Sequence, residues 1–267
     1  MDLPGRLVLI GHPVAHSLSP QFQNAALRAA AIPLQYETVD VLPDELARVS
    51  HLLAEANAAG NVTVPHKEAF VACCSSLSPV ARRAGAVNTF WTEAGLLCGD
   101  NTDVGGFDTA LRATVGLPEG AFTVAVLGAG GAASAVLTAV DRWEGASALV
   151  WSRTMGRAER LVERFPRMAR AEWDLDAALR SAAVVVNATP VGLDGEVMPF
   201  DPTALAVGAR VFDLAYRRGE TPLVHACRAH GHAASDGLPM LIEQGALAFE
   251  RWFGVHPNRA AMRDAVR

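Results

Sequence analysis

Short apolar runs and helical patterns alternate along the chain, and the alternation predicts its layout. In the first third it predicts a strand at residues 7–10, a helix over 20–31, a strand over 35–39, a helix over 44–56 and a strand over 61–64. A further helix is expected where Pro65 stands at a favourable first helical position. Strand alternating with helix implies a mostly parallel sheet. Residues 90–91 and 96–97, separated by 93–95, read as a short hairpin that interrupts the pattern.

A predicted helix over 106–115 and the turn-rich stretch G-L-P-E-G at 116–120 lead into a second α/β system. Its first strand, residues 122–127, is almost wholly apolar, as expected of a parallel strand covered on both faces. Strands over 148–151, 183–187 and 211–214 alternate with helical segments, and a last helix over 238–252 is long enough to return to the first system. The expected fold class is therefore α/β, with two α/β domains: residues 1–105 completed by 238–267, and a Rossmann-like domain over 106–237. A length of 267 residues suits two domains of ordinary size.

Composition narrows the function classes. Hydrophobic residues make up 51% of the chain and charged residues 19%, which is the balance of a well-buried globular protein. A formal net charge of -5 gives no basic field for a nucleic-acid backbone, so any anion must be met by local donors. No apolar run approaches the roughly 20 residues needed to span a bilayer, and residues 7–10 are too short for a signal peptide. The expectation is a cytoplasmic protein without nucleic-acid or membrane partners. The four cysteines, Cys73, Cys74, Cys98 and Cys227, form no C-x-x-C pair and no cluster with metal-ligand spacing, so no metal is expected.

The strand at 122–127 runs directly into G-A-G-G-A-A-S, in which Gly128, Gly130 and Ala133 fit the pattern G-x-G-x-x-G/A. The first glycine permits a tight turn, and the second lets the backbone approach a pyrophosphate. The small third residue allows close helix packing, and free N–H groups at the helix start, around Gly131 and Ala132, meet the anion. Gly128, Ala129, Gly130, Gly131 and Ala132 are thus candidate cofactor contacts. About 20 residues on, where an acidic side chain would select NAD, the chain reads W-S-R-T-M-G-R. Ser152, Arg153, Thr154 and Arg157 offer hydroxyls and guanidinium forks suited to a phosphate, which favours NADP.

In the first domain, H-S-L-S-P places Ser17 and Ser19 just before the helix opened by Pro20, where either could cap that helix or hold a substrate carboxylate. N-V-T-V-P-H-K puts Asn61 and Thr63 on one side of a strand, with Lys67 on the first turn after it. Lys67 alone would be an ordinary solvated lysine. It gains weight from Asn88 in A-V-N-T and from Asp100 and Asp103 in G-D-N-T-D, all near element ends of the same domain.

Taken in order, these segments, with S-R-T-x-x-R, V-N-A-T-P-V-G-L, D-L-A-Y, T-P-L and G-L-P-M-L-I-E-Q-G-A, resemble the shikimate dehydrogenases over essentially the whole chain. The resemblance implies an NADP-dependent reduction of 3-dehydroshikimate to shikimate, in a cleft between a substrate domain and a cofactor domain, by a monomer or homodimer. It implies Lys67 and Asp103 as the catalytic pair, and Ser17, Ser19, Thr63, Asn88, Tyr216 and Gln244 as substrate contacts. Gly237 and Met240 would lie with the cofactor. The chain departs from the family pattern in several places. Gln23 precedes Asn24 where His is usual, Gly60 abuts Asn61 without an intervening residue, Ser152 stands where Asn is common, and Arg217-Arg218 replace Asn-Pro. Quinate or aminoshikimate dehydrogenases share these motifs, and a nucleotide-binding sensor without turnover is the alternative of a different class.

Overall fold

The computed structural model describes residues 3–217 and 219–267, so Arg218 lies outside the described residues. The chain divides into two compact units, Met1–Gly106 with Leu241–Arg267, and Phe107–Met240.

The first unit contains β1 (Arg6–Gly11), α1 (Ser19–Ala29), β2 (Tyr36–Asp40), α2 (Leu46–Glu55), β3 (Ala58–Val62), β4 (Ser76–Leu77), α3 (Pro79–Ala84), β5 (Thr89–Glu93) and β6 (Leu96–Asp100). It also takes in the start of α4 (Thr102–Thr114). The sheet order is β2-β1-β3-β5-β6-β4. Only β5 runs against its neighbours, β3 and β6, and the remaining pairs are parallel. The hairpin of β5 and β6 thus sits inside the sheet. Val8, Ile10, Val62, Phe70 and Phe90 form a core with Leu46 and Leu53 of α2.

Two sequence expectations fail here for physical reasons. The third strand begins at Ala58 and ends at Val62, earlier than the expected 61–64. Its Ala-Ala-Gly start carries a weak strand signal, yet tertiary packing demands it: a Cβ on Gly60 would lie 1.9 Å from the Val8 carbonyl oxygen. The helix expected at Pro65 does not form. The Lys67 carbonyl accepts the Val87 N–H at 2.8 Å and is therefore committed outside any helix. Residues 65–68 turn, and a short 3-10 segment, Ala69–Cys73, follows.

The second unit continues α4 and adds β7 (Phe122–Leu127), α5 (Gly131–Val140), β8 (Ala146–Trp151), α6 (Met155–Val162), β9 (Ala169–Ala171) and α7 (Leu175–Ser181). It is completed by β10 (Val184–Asn187), β11 (Arg210–Asp213), α8 (Pro222–Ala229), β12 (Ala234–Ser235) and the first residues of α9 (Leu238–Phe253). The rest of α9 and α10 (Arg259–Asp264), which packs on α1, belong to the first unit. All pairs in the second sheet are parallel, and its order, β12-β11-β10-β7-β8-β9, is that of a doubly wound dinucleotide-binding sheet. The strand order reverses between β7 and β10, the position where such sheets bind ligands beyond their carboxyl ends. Val124, Ala125, Val126 and Leu127 are fully buried, as the apolar run requires.

Candidate active site

In the first unit, polar side chains gather at the carboxyl ends of β1, β3 and β6. Helix α4 starts at Thr102, four residues before the expected start, which puts Asp103 in its first turn. The glycines that hide this start in the sequence have a structural reason. A Cβ on Gly106 would meet the Gln244 Cβ at 2.7 Å, and one on Gly105 would meet the Leu247 Cδ1 at 2.8 Å. Glycine here lets the helix carrying Asp103 approach the helix carrying Gln244.

Asn88 organises this cluster. Its Oδ1 accepts the Thr102 N–H at 2.7 Å, so it supplies an acceptor to the start of α4. Its Nδ2 lies 2.8 Å from Asp103 Oδ1, 3.0 Å from Thr102 Oγ1 and 3.2 Å from Gln244 Oε1. An amide with two N–H donors shares them among three acceptors. The other Asp103 oxygen, Oδ2, accepts from Lys67 Nζ at 2.7 Å, and the two side chains are only 17% and 6% exposed. The Lys67 backbone is tied next to Asn88 through Val87. Asn61, which sequence reasoning set on the strand without a role in the site, underlies the cluster. It donates to the Asn88 carbonyl and to Thr89 Oγ1, both at 3.0 Å, and accepts from the Tyr36 hydroxyl at 2.8 Å. Burial pushes the Tyr36 hydroxyl well above the usual tyrosine range, so it stays a donor.

The structure therefore joins Lys67, Asp103, Asn88 and Gln244 by direct hydrogen bonds. Thr63 follows β3, half-buried, with its N–H on the Ile10 carbonyl at 2.8 Å. Ser17 Oγ accepts the Ser19 N–H at 3.2 Å, so of the two serines Ser17 serves the start of α1, and Ser19 is buried. Asp100 has a separate job: it pairs with Arg251 Nη2 at 2.7 Å and accepts from Ser78 Oγ. Gln23, at the position where the family usually has His, is fully buried and donates to the Gly245 carbonyl of α9 at 3.0 Å.

In the second unit the candidate pyrophosphate contacts come from the backbone. Gly128 has φ +111°, and a Cβ there would sit 2.8 Å from the Ala188 carbonyl oxygen, so the turn after β7 requires glycine. Gly130 precedes α5 in an extended conformation, and a Cβ built on it would meet nothing within 4 Å. That open approach, beside the amides of Gly131 and Ala132 at the start of a ten-residue helix, suits a pyrophosphate. Ala133 is fully buried, which allows α5 to lie close to the sheet.

Thr154 immediately precedes α6, and Arg153, Thr154 and Arg157 are all exposed; Ser152 Oγ accepts the Thr154 N–H at 3.4 Å. The loops after β10 and β11 are held by one buried hub. Asn187 donates to Asp213 Oδ1 at 2.8 Å and to the Val191 carbonyl at 3.0 Å, and Thr221 donates to Asp213 Oδ2 at 2.7 Å. Burial raises the Asp213 carboxyl above its ordinary value. The motifs V-N-A-T-P, D-L-A-Y and T-P-L contain these residues, but their spacing in the sequence, 187, 213 and 221, gives no sign that they meet. Tyr216 follows β11, half-buried, and burial likewise raises its hydroxyl. Arg217 braces the same loop by donating to the Glu220 and Gly195 carbonyls, each at 2.9 Å. At Gly237 a Cβ would lie 2.2 Å from the Leu214 carbonyl oxygen, so backbone meets backbone there; Met240 is 8% exposed.

A parallel sheet of this order with a glycine-opened helix, and a buried lysine–carboxylate pair in a separate unit, define an α/β oxidoreductase of the dinucleotide-dependent class. Residues 9–90 match the family described as the shikimate dehydrogenase substrate binding domain, and residues 237–267 match the shikimate 5'-dehydrogenase C-terminal domain. The NADP(+) shikimate dehydrogenase of Azorhizobium caulinodans is 41% identical over 98% of this chain and 95% of its own. Among solved structures, the Thermus thermophilus shikimate 5-dehydrogenase in complex with NADP(H) and shikimate is 40% identical. It aligns with a TM-score of 0.89 over 100% of this chain and 99% of that one. The Aquifex aeolicus shikimate dehydrogenase aligns with a TM-score of 0.90 at 35% identity, over 98% and 97% of the two chains. This chain belongs to the shikimate dehydrogenase family.

Proposed function

We propose that this protein catalyses the reversible NADPH-dependent reduction of 3-dehydroshikimate to shikimate, a step toward the aromatic amino acids and chorismate. The observation that carries the reading is the Lys67–Asp103 pair at 2.7 Å, set in a buried network with Asn88 and Gln244. In the second unit, Gly128, Ala129, Gly130, Gly131 and Ala132 would hold the dinucleotide pyrophosphate. Ser152, Arg153, Thr154 and Arg157 would hold its 2′-phosphate, and Gly237 and Met240 its nicotinamide end. When bound, NADPH supplies the hydride.

The protein's own residues manage the proton and the substrate. The Lys67 ammonium stabilises negative charge developing on the substrate C3 oxygen, and a proton from the Lys67–Asp103 pair completes the alcohol. In the oxidative direction the same pair takes that proton back. Asp103 keeps the ammonium in one place, and Asn88, through Asp103 Oδ1, fixes the carboxylate in turn. Ser17, Ser19, Thr63, Asn88, Tyr216 and Gln244 suit a substrate with one carboxylate and several hydroxyls, because neutral donors and acceptors read hydroxyl positions without accumulating charge. Among the described residues no helix is long and apolar enough to cross a membrane. We take the enzyme to act in the cytoplasm as a monomer or homodimer.

Steady-state assays with shikimate and with quinate, each with NADP and NAD, test the reading. The highest kcat/KM is expected for shikimate with NADP. A higher value for quinate would reassign the substrate, and no turnover with any combination would leave a nucleotide-binding sensor.

A further inference from the structure

Trp173 exposes 68% of its surface, more than any other aromatic side chain among the described residues. An isolated exposed indole needs no explanation, but the position of this one does. Ala171 of β9 pairs with Val150 of β8, and the Glu172 N–H continues the ladder to the Val150 carbonyl at 2.9 Å. Trp173 lies two residues past the carboxyl end of β9, and Ser152 lies directly past the carboxyl end of β8, the strand beside it. On the other side of Trp173, Asp174 caps α7 by accepting the Ala177 N–H at 3.2 Å, and the Asp174 N–H donates to Glu172 Oε1 at 3.1 Å. The backbone on both sides of Trp173 is therefore fixed while its ring faces water.

The neighbouring segment is equally unspent. Arg153 and Arg157 are exposed, and neither guanidinium has a hydrogen-bond or carboxylate partner among the described residues. Two free cations in the segment that follows β8, Arg153 before α6 and Arg157 in its first turn, and a flat apolar ring just after the neighbouring β9 match an adenosine that carries a phosphate. The cations suit the phosphate and the indole suits the base, because every base presents a π-face.

We propose that Trp173 is the stacking platform for the adenine ring of the bound dinucleotide, a role that rests on reading the second unit as the NADP site. Stacking on Trp173 does not depend on the 2′-phosphate, so it contributes to NADP and NAD alike, whereas Arg153 and Arg157 contribute to NADP alone.

The test is calorimetric titration of the full-length protein with adenosine 2′,5′-bisphosphate and with NADP+, together with tryptophan emission. Trp173→Ala is expected to weaken both ligands by about 10-fold or more, within the range of base–aromatic stacking, and Trp173→Phe by no more than about threefold. Wild-type emission should be quenched by the bisphosphate, and the quench should be lost in Trp173→Ala. Affinities within about twofold of wild type in a folded Trp173→Ala protein would overturn the stacking role alone. A wild-type protein that binds neither ligand would overturn the nucleotide site itself.

Discussion

The two units assemble their candidate sites from different materials. In the first, side chains form the candidate site and hold one another: Lys67 is fixed by Asp103, Asp103 by Asn88, and the Asn88 carbonyl by Asn61. In the second, the cradle is backbone, formed by a glycine turn, an open approach and the amides at the start of α5. A side-chain site can position a proton to a fraction of an ångström but depends on every member of its network. A backbone site tolerates many neighbouring side chains and fails where a Cβ intrudes. The difference fits the tasks proposed for them, since proton transfer demands a particular group whereas anchoring a pyrophosphate demands only N–H groups and space.

Three variants would sharpen or break that contrast. The largest effect is expected for Lys67→Ala, which should lower kcat by about 100-fold or more, the usual scale for a general acid–base group. Its NADP affinity, measured by titration, should barely change; near-normal turnover would remove the lysine from the mechanism. Gly128→Ala comes next. A methyl group facing the Ala188 carbonyl at φ +111° should cost about 1–3 kcal/mol in the thermal unfolding of the second unit and weaken NADP binding. Unfolding and binding as in wild type would show that the turn yields easily. The smallest overall effect belongs to Arg153→Ser with Arg157→Ser. That double variant should raise KM for NADP by about 10-fold or more, on the scale of lost charged hydrogen bonds, and leave NAD unchanged. An equal rise for NAD would mean that these arginines do not read the 2′-phosphate.

The backbone site was legible from the chain because all of its parts are local. An apolar strand, a glycine pair and a small-residue helix follow one another within about a dozen positions, and physics acts on them in that order. The side-chain site was legible only as a set of residue types. Lys67 and Asp103 meet as the proposed pair requires, but local pattern puts a helix where a turn holds Lys67 and starts α4 after Asp103. Both errors have one source. The Lys67 carbonyl and the Thr102 amide are satisfied by residues 87 and 88, distant in sequence, and local propensity does not register such partners. Gly60 and Gly106, which weaken the local signal for strand and helix, are there for close approaches to Val8 and Gln244.

The sequence by itself determined the α/β class, the dinucleotide fingerprint and the inventory of polar groups, because period, turn chemistry and composition act over short stretches of chain. Tertiary structure alone decided which groups meet. It brought Asn61 beneath Asn88, joined Asn187, Asp213 and Thr221 into one hub, and paired β9 with β8 so that Trp173 and Ser152 follow the carboxyl ends of neighbouring strands. Each of these follows from strand register and burial, which are fixed only when the whole sheet has formed.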